Sequence, residues 1–111
     1  MLNKTLSTKN LFKELKYEKN YESFGDFYDT NKREIYKSII ELFGEFKKTR
    51  KRILTLKISA KITGLDWDTD FNFRKEELIV LQRDIMPFFE DTEDYETCSE
   101  ILNLHKELTC H

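Results

Sequence analysis

Apolar and polar side chains alternate strictly over residues 53–62, whose sequence is ILTLKISAKI. Successive side chains of a β-strand point to opposite faces, so a period of two places the apolar residues on one face. On a helical wheel the same residues spread over more than half of the circumference and leave no clean apolar stripe. The pattern therefore predicts a strand. Its apolar face would consist of Leu54, Leu56, Ile58, Ala60 and Ile62.

A second alternation covers residues 66–73, DWDTDFNF, after a break at residues 63–65, TGL. Two alternating runs on either side of a short break that contains glycine are typical of an antiparallel hairpin. A lone hairpin is marginally stable in water, so its apolar face must be covered by the chain's own helices or by another subunit. We predict that this face binds a partner. The predicted partner-binding residues are Leu54, Leu56, Ile58, Trp67, Phe71 and Phe73.

Apolar side chains recur at helical spacing after the predicted hairpin and over much of the chain before it. Residues 31–49 carry apolar side chains at spacings of three and four, with Asn31 among the candidate N-caps. Residues 75–108 show two more such segments around an acidic turn, which predicts an αα-hairpin. Pro87 lacks a backbone N–H and is expected to kink or end the first segment near Met86.

The predicted fold class is α+β, with an N-terminal arm, a helix, a central antiparallel β-hairpin and a C-terminal αα-hairpin. An all-α bundle, with one helix running from residue 31 through residue 62, is the alternative. A chain of 111 residues fits a single domain. Residues 1–30 scatter aromatic side chains through a charged stretch, and they predict an arm that is either partly ordered or wraps over the domain or a neighbour.

The composition excludes several classes of protein. Nine Phe, five Tyr and one Trp argue against disorder, and a net charge of −2 gives no overall attraction to nucleic acid or anionic membranes. Residues 1–20 lack a continuous apolar segment, so no signal peptide is predicted. The two cysteines, Cys98 and Cys110, are then expected to be free thiols in the cytoplasm, or in a virion if the chain is phage-encoded.

A basic run precedes the first predicted strand and consists of Lys47, Lys48, Arg50, Lys51 and Arg52. Cations near the C-terminal end of a helix complement its dipole, which is one interpretation of the run. Clustered cations also contact phosphates, so nucleic-acid binding, or contact with an acidic partner, is the other interpretation. Cross-strand pairing of Lys57 and Lys61 with aspartates would neutralise much of such a surface.

The acidic side chains of the second strand match part of a calcium-binding loop. The residues at positions one, three, five, seven and twelve of that loop would be Asp66, Asp68, Asp70, Asn72 and Glu77. Phe71 stands where the loop needs glycine, and Arg74 stands at a ligand position. The competing interpretation makes these acids the solvated face of a strand, and the sequence leaves cation binding there open.

Enzymatic and cofactor sites are not indicated. Gly25, Gly44 and Gly64 are isolated, so no phosphate-binding glycine loop is present. Cys98 and His105 are seven residues apart, which fits none of the usual zinc-ligand spacings. We therefore predict no catalytic residues, no metal and no cofactor.

The C-terminal segment resembles a known motif. The sequence EDYETCSEI at residues 93–101, with Met86 before it and Leu108 after it, is similar to the UVR motif. That motif is a helical hairpin of nucleotide-excision-repair proteins and of some protease adaptors. The resemblance covers residues 77–108 and implies a hairpin that mediates contact between proteins.

The sequence thus predicts a non-enzymatic protein-protein interaction or assembly module, either self-associating as a homo-oligomer or binding another protein. Its composition, rich in Lys, Asn, Ile and Glu, is typical of AT-rich genomes and is compatible with a bacterial or phage accessory protein. A small nucleic-acid-binding protein that uses the basic run is the alternative.

Overall fold

The computed structural model describes residues 12–109, which form a three-stranded mixed sheet with helices on one face. The predicted α+β fold is confirmed, and the all-α alternative is wrong because residues 53–74 are strands. The main elements are β1 (Phe12–Tyr21), α1 (Phe24–Glu45), β2 (Ile53–Ile62), β3 (Leu65–Arg74), α2 (Met86–Asp91) and α3 (Tyr95–Thr109).

The predicted hairpin is present as β2 and β3, which pair antiparallel from Ile53 opposite Arg74 to Ile62 opposite Leu65. Two residues, Thr63 and Gly64, make the turn with φ angles of 52° and 80°. Positive φ at both central residues defines the type I′ turn, whose twist matches that of the flanking strands. The turn therefore fixes the register that the alternating pattern requires.

The sequence predicted that residues 12–21 belong to an arm. This prediction is wrong, because these residues form the edge strand β1. This strand pairs parallel with β2, and α1 makes the crossover between them. The carbonyl of Tyr21 accepts a hydrogen bond from the N–H of Thr63 at 2.8 Å, and the side chain of Asn20 accepts one from Gly64 at 2.7 Å. Of the rest of the predicted arm, residues 24–30 form the start of α1, and residues 1–11 lie outside the described residues.

Helix α1 begins seven residues earlier than predicted and ends four residues earlier than predicted. Its N-cap is Ser23, whose hydroxyl accepts a hydrogen bond from the N–H of Asp26 at 3.0 Å. One side of α1 packs on β1 and β2, and α3 lies alongside another. Ion pairs and hydrogen bonds join Arg33 to Asp94 and Lys47 to Glu107, so the two helices run in the same direction.

The segment between β3 and α3 is helical but irregular. It comprises a 3₁₀ turn (Lys75–Leu78), a π-helical turn (Leu81–Ile85) and then α2. The N–H of Met86 bonds to the carbonyl of Leu81, five residues back, so the helix is wider just before Pro87. The helix changes from π to α geometry at Met86, next to Pro87, and continues to Asp91.

Candidate interaction site

The six predicted partner-binding residues separate into two groups. Leu54, Leu56 and Ile58 on β2 have exposed fractions of 0%, 0% and 2%, and they belong to the core of the monomer. The chain's own helices cover them, so in this fold they are not available for a partner. A partner-binding role remains only for the residues on β3.

The β3 residues are covered less completely because α1 lies over β1 and β2. Trp67 and Phe73 are half-buried, whereas Phe71 is 42% exposed. The ring of Phe73 still contacts the core, with its centroid 5.5 Å from that of Phe43. On its helix side, β3 therefore packs against the core near its C-terminal end at Arg74 and is more exposed toward its N-terminal end.

Two further apolar side chains extend this open face. Phe24, in the first turn of α1, is 49% exposed and lies edge-on to Trp67, with ring centroids 5.1 Å apart. Leu65 begins β3 on the same face and is 71% exposed. We call Phe24, Leu65, Trp67 and Phe71 the edge patch. The sequence pattern missed Phe24, but Leu65 continues the period of two once the turn is known to be Thr63 and Gly64.

The backbone of β3 has a free side. In a two-residue hairpin the closing pair, here Ile62 and Leu65, exchanges hydrogen bonds, and bonding residues then alternate along the strand. The intervening residues turn their N–H and C=O groups away from β2. These residues are Asp66, Asp68, Asp70, Asn72 and Arg74. Glu77 accepts a hydrogen bond from the N–H of Arg74 at 2.7 Å, which closes the C-terminal end of this edge.

The solvent face of the hairpin carries the predicted cross-strand pairs. Lys61 contacts Asp66 at 2.8 Å and Lys57 contacts Asp70 at 3.4 Å. The hydrogen bond with Asp66 raises the pKa of Lys61 above its usual value. Within residues 12–109, neither Asp68 nor Arg74 forms an ion pair through its side chain. One acid and one base thus remain available on this face.

The acids of β3 do not form a calcium-type loop. Residues 66–74 are extended, so successive same-face carboxylates start about 7 Å apart, whereas Ca²⁺ ligands converge within about 2.5 Å of the ion. Glu77, the twelfth residue of that pattern, caps the backbone of Arg74 instead. Across residues 12–109 no three His, Cys, Asp or Glu side chains are grouped so as to hold a metal.

The basic run is divided by the structure. Lys47 pairs with Glu107 at 2.9 Å and Lys48 with Glu45 at 3.8 Å, so these two cations are partly neutralised. Arg50, Lys51 and Arg52 lie in the connection to β2 and line a cavity of about 440 Å³. Lys75, which lies outside the predicted basic run, lines the same cavity, as does the acidic residue Glu76, and we call this cavity the basic cavity. None of its four cations forms an ion pair within the described residues.

The remaining candidate residues lie apart from these surfaces. The Cys98 thiol is buried in α3, and burial, with Glu90 and Asp94 nearby, raises its pKa. His105 is half-buried, and its Nδ1 atom has no hydrogen-bond partner in the described part of the chain. Cys110 lies outside the described residues. None of the helices within residues 12–109 is long and apolar enough to cross a membrane.

Comparisons with models of protein families, with curated proteins and with solved structures found no match to this chain. The candidate functional features of this chain are therefore the edge patch, the free side of β3 and the basic cavity.

Proposed function

We propose that this protein is a non-enzymatic assembly module that binds protein by strand addition to β3. The observation that supports this most is the exposure of Phe71 beside a free backbone edge. Extended segments add to such edges through main-chain hydrogen bonds, and adjacent side-chain contacts supply specificity. The edge patch lies on the helix side of that edge, where an added strand would cover it.

The two edges of the described sheet differ in how well they resist pairing. The pairing of β1 with β2 is interrupted between Lys16 and Asn20, and three lysines lie along β1. Irregularities and lysines are common protections of edge strands. Strand β3 pairs with β2 without a break over ten residues, and it contains neither proline nor lysine. Strand addition is therefore favoured at β3 over β1.

The test is the mass of the protein in solution, measured by light scattering after size-exclusion chromatography. A dimer or larger species is expected, and it should persist at raised salt because main-chain hydrogen bonds and apolar burial are weakly screened. A protein that stays monomeric at every concentration up to about 1 mM would overturn self-assembly. An association weaker than this would leave almost no dimer at ordinary working concentrations.

Asn72→Pro provides a specific variant for this test. The N–H of Asn72 points to the free side, so proline removes an edge donor without removing a hydrogen bond to β2. Asn72→Ala is the matched control, because both changes delete the Asn72 side chain that accepts from Thr55 at 2.7 Å. Assembly should be lost in Asn72→Pro and kept in Asn72→Ala.

Nucleic-acid binding through the basic cavity is the second candidate function. It is favoured because four cations, Lys75 with Arg50, Lys51 and Arg52, line this cavity against one acid, Glu76. Within the described residues none of the four forms an ion pair. Phosphate contacts of this kind weaken steeply with salt. A mobility shift should therefore disappear between low and moderate salt, and reversing the charges of Arg50 and Arg52 should abolish it. Reversing Lys47 and Lys48, which already have acidic partners, is the control and should have a smaller effect.

The resemblance of residues 77–108 to the UVR motif is compatible with a protein-binding role. Tyr95 and Leu102 on α3 are exposed apolar residues in that segment, with exposed fractions of 63% and 47%. We extend the proposal to an adaptor or phage accessory role, which would use such contacts.

A further inference from the structure

We infer that the segment that pairs with β3 is β3 of a second copy, antiparallel and centred on Phe71. This inference rests on the proposed strand addition and specifies its partner and register. A symmetric dimer of this kind would join two three-stranded sheets into one six-stranded sheet, with the helices of both copies on the same side.

Hydrogen-bond parity restricts the registers that are available. Only residues 66, 68, 70, 72 and 74 turn their backbone groups to the free side, and among them the N–H of Arg74 already donates to Glu77, so each must oppose another member of this set. In an antiparallel pair of identical strands the two residue numbers then have a constant even sum. The symmetry axis must therefore pass through a residue and not between two residues, and axes at residues 67 to 72 keep at least five residues of each β3 strand paired.

Charge selects among these registers. Axes at residues 67 to 70 would each place at least one of Asp66, Asp68 and Asp70 opposite an aspartate of the partner strand. Like charges directly opposite each other are destabilising. An axis at Phe71 instead places Asp68 opposite the partner's Arg74. These are the two charged side chains on this face that lack an ion pair within residues 12–109.

The remaining contacts of this register are also complementary. Asp70 would oppose the partner's Asn72, which introduces no like charge. An axis at residue 72 would pair Arg74 with Asp70, which already contacts Lys57, and would shorten the paired length. At the Phe71 axis the two exposed Phe71 rings would meet on the helix side, where antiparallel non-hydrogen-bonded pairs are closest. This covers the most central exposed side chain of the edge patch.

Cysteine cross-linking tests the register while keeping Phe71. In a Cys110→Ser background, where Cys98 is buried, Asp70→Cys and Asn72→Cys proteins are prepared separately and then mixed. Mixing should produce a disulfide-linked dimer under mild oxidation, because these positions oppose each other at a Cα separation of about 5.5 Å. Each protein alone should cross-link far more slowly.

A charge exchange gives a second measurement that needs no cysteine. Asp68→Arg alone and Arg74→Asp alone should each weaken the dimer about tenfold, since each opposes like charges twice by symmetry. The double variant restores opposite charges and should recover the original dissociation constant. Circular dichroism of each variant is the control that tests whether it is folded.

The outcomes separate this inference from the proposed function. Cross-linking in the mixture, together with recovery in the double variant, supports the Phe71 register. Cross-linking by Asp70→Cys alone, or a dimer that shows neither effect, overturns the register and leaves strand addition in place. A monomer throughout overturns the dimer and, with it, self-assembly through β3.

Discussion

Leu56 and Phe71 stand directly opposite each other on β2 and β3, yet Leu56 is completely buried and Phe71 is 42% exposed. Cross-strand partners share one face of a sheet, so the difference arises from what covers that face. Helix α1 covers β2 and leaves the middle of β3 open. One strand of the hairpin thus stabilises the monomer, and the other offers an apolar surface.

Truncating these two side chains should have opposite consequences for stability and assembly. Leu56→Ala should reduce the free energy of unfolding by about 2–5 kcal/mol, because it leaves a cavity in a closed core. Phe71→Ala should cost the monomer about 1 kcal/mol or less, since much of the ring is already in water. Urea unfolding at a concentration where the protein is monomeric measures both values.

Light scattering provides the complementary readout for this pair. Phe71→Ala should weaken assembly at concentrations where the wild-type protein associates. A large loss of monomer stability in Phe71→Ala would contradict the division between a core strand and an interaction strand.

The hairpin could be predicted from the sequence because its signal is local. Residues 53–62 alternate over ten positions, and the opposing strand lies only a short turn away. The C-terminal helix could also be predicted, since Tyr95–Thr109 has a strong apolar stripe and the acidic turn before it ends with a capping aspartate. In both cases the local preference agrees with the tertiary structure.

Strand β1 could not be predicted in this way because its pairing is parallel and lies across a helical crossover. Its apolar alternation is short, and Lys13 occupies a helix-side position where it pairs with Glu41 at 2.7 Å. The start of α1 was missed for a different reason: Ser23 and Asp26 form the N-terminal cap, but the sequence pattern predicts an arm over residues 1–30 and places the cap near Asn31. The exposure of β3 depends on where the helices pack on the sheet, and the hydrophobic periodicity of the sequence does not determine that.

The turn offers a stabilising substitution at Thr63. This β-branched residue has a φ angle of 52°, a conformation that costs most residues about 1–2 kcal/mol but that asparagine tolerates. Thr63→Asn should therefore raise the free energy of unfolding by about 1 kcal/mol, partly offset by loss of the hydrogen bond from the Thr63 hydroxyl to the carbonyl of Ile62. Thermal or urea unfolding measures the change.

Gly64→Ala is the opposing control for that prediction. Apart from Gly64 itself and its two chain neighbours, no atom of the described residues lies within 4 Å of the Cβ that alanine would add, so the expected loss of stability comes from the backbone angle of 80° and not from a clash. A loss of about 1–2 kcal/mol is expected. A neutral Gly64→Ala variant, or a destabilised Thr63→Asn variant, would contradict the type I′ assignment.

The buried thiol of Cys98 should resist modification in the folded protein. The thiolate is the reactive form, and burial, reinforced by Glu90 and Asp94, raises the pKa of this thiol. In a Cys110→Ser background, Ellman's reagent should react much more slowly than with the unfolded chain. Ser99→Cys in a background that also carries Cys98→Ser is the control, since Ser99 is exposed on the same helix. Equal rates for the native thiol of Cys98 and for the thiol introduced by Ser99→Cys would contradict the packing of α3.

The N-terminal cap of α3 should make stability depend on pH in the acidic range. The Asp94 carboxylate accepts hydrogen bonds from the hydroxyl and the N–H of Thr97, at 2.9 Å and 3.2 Å, and from Arg33 at 2.6 Å. These bonds, those from Thr97 first, lower the pKa of Asp94. Its folded-state pKa is then below the unfolded value of about 3.9, so the stabilisation is complete above that value and is lost as pH falls through the lower one.

Asp94→Asn should therefore lower the melting temperature at pH 7, and the difference from wild type should shrink on acidification. Asp91→Asn removes a nearby exposed carboxylate as the control, and an equal pH dependence in both variants would show that the cap is not its source.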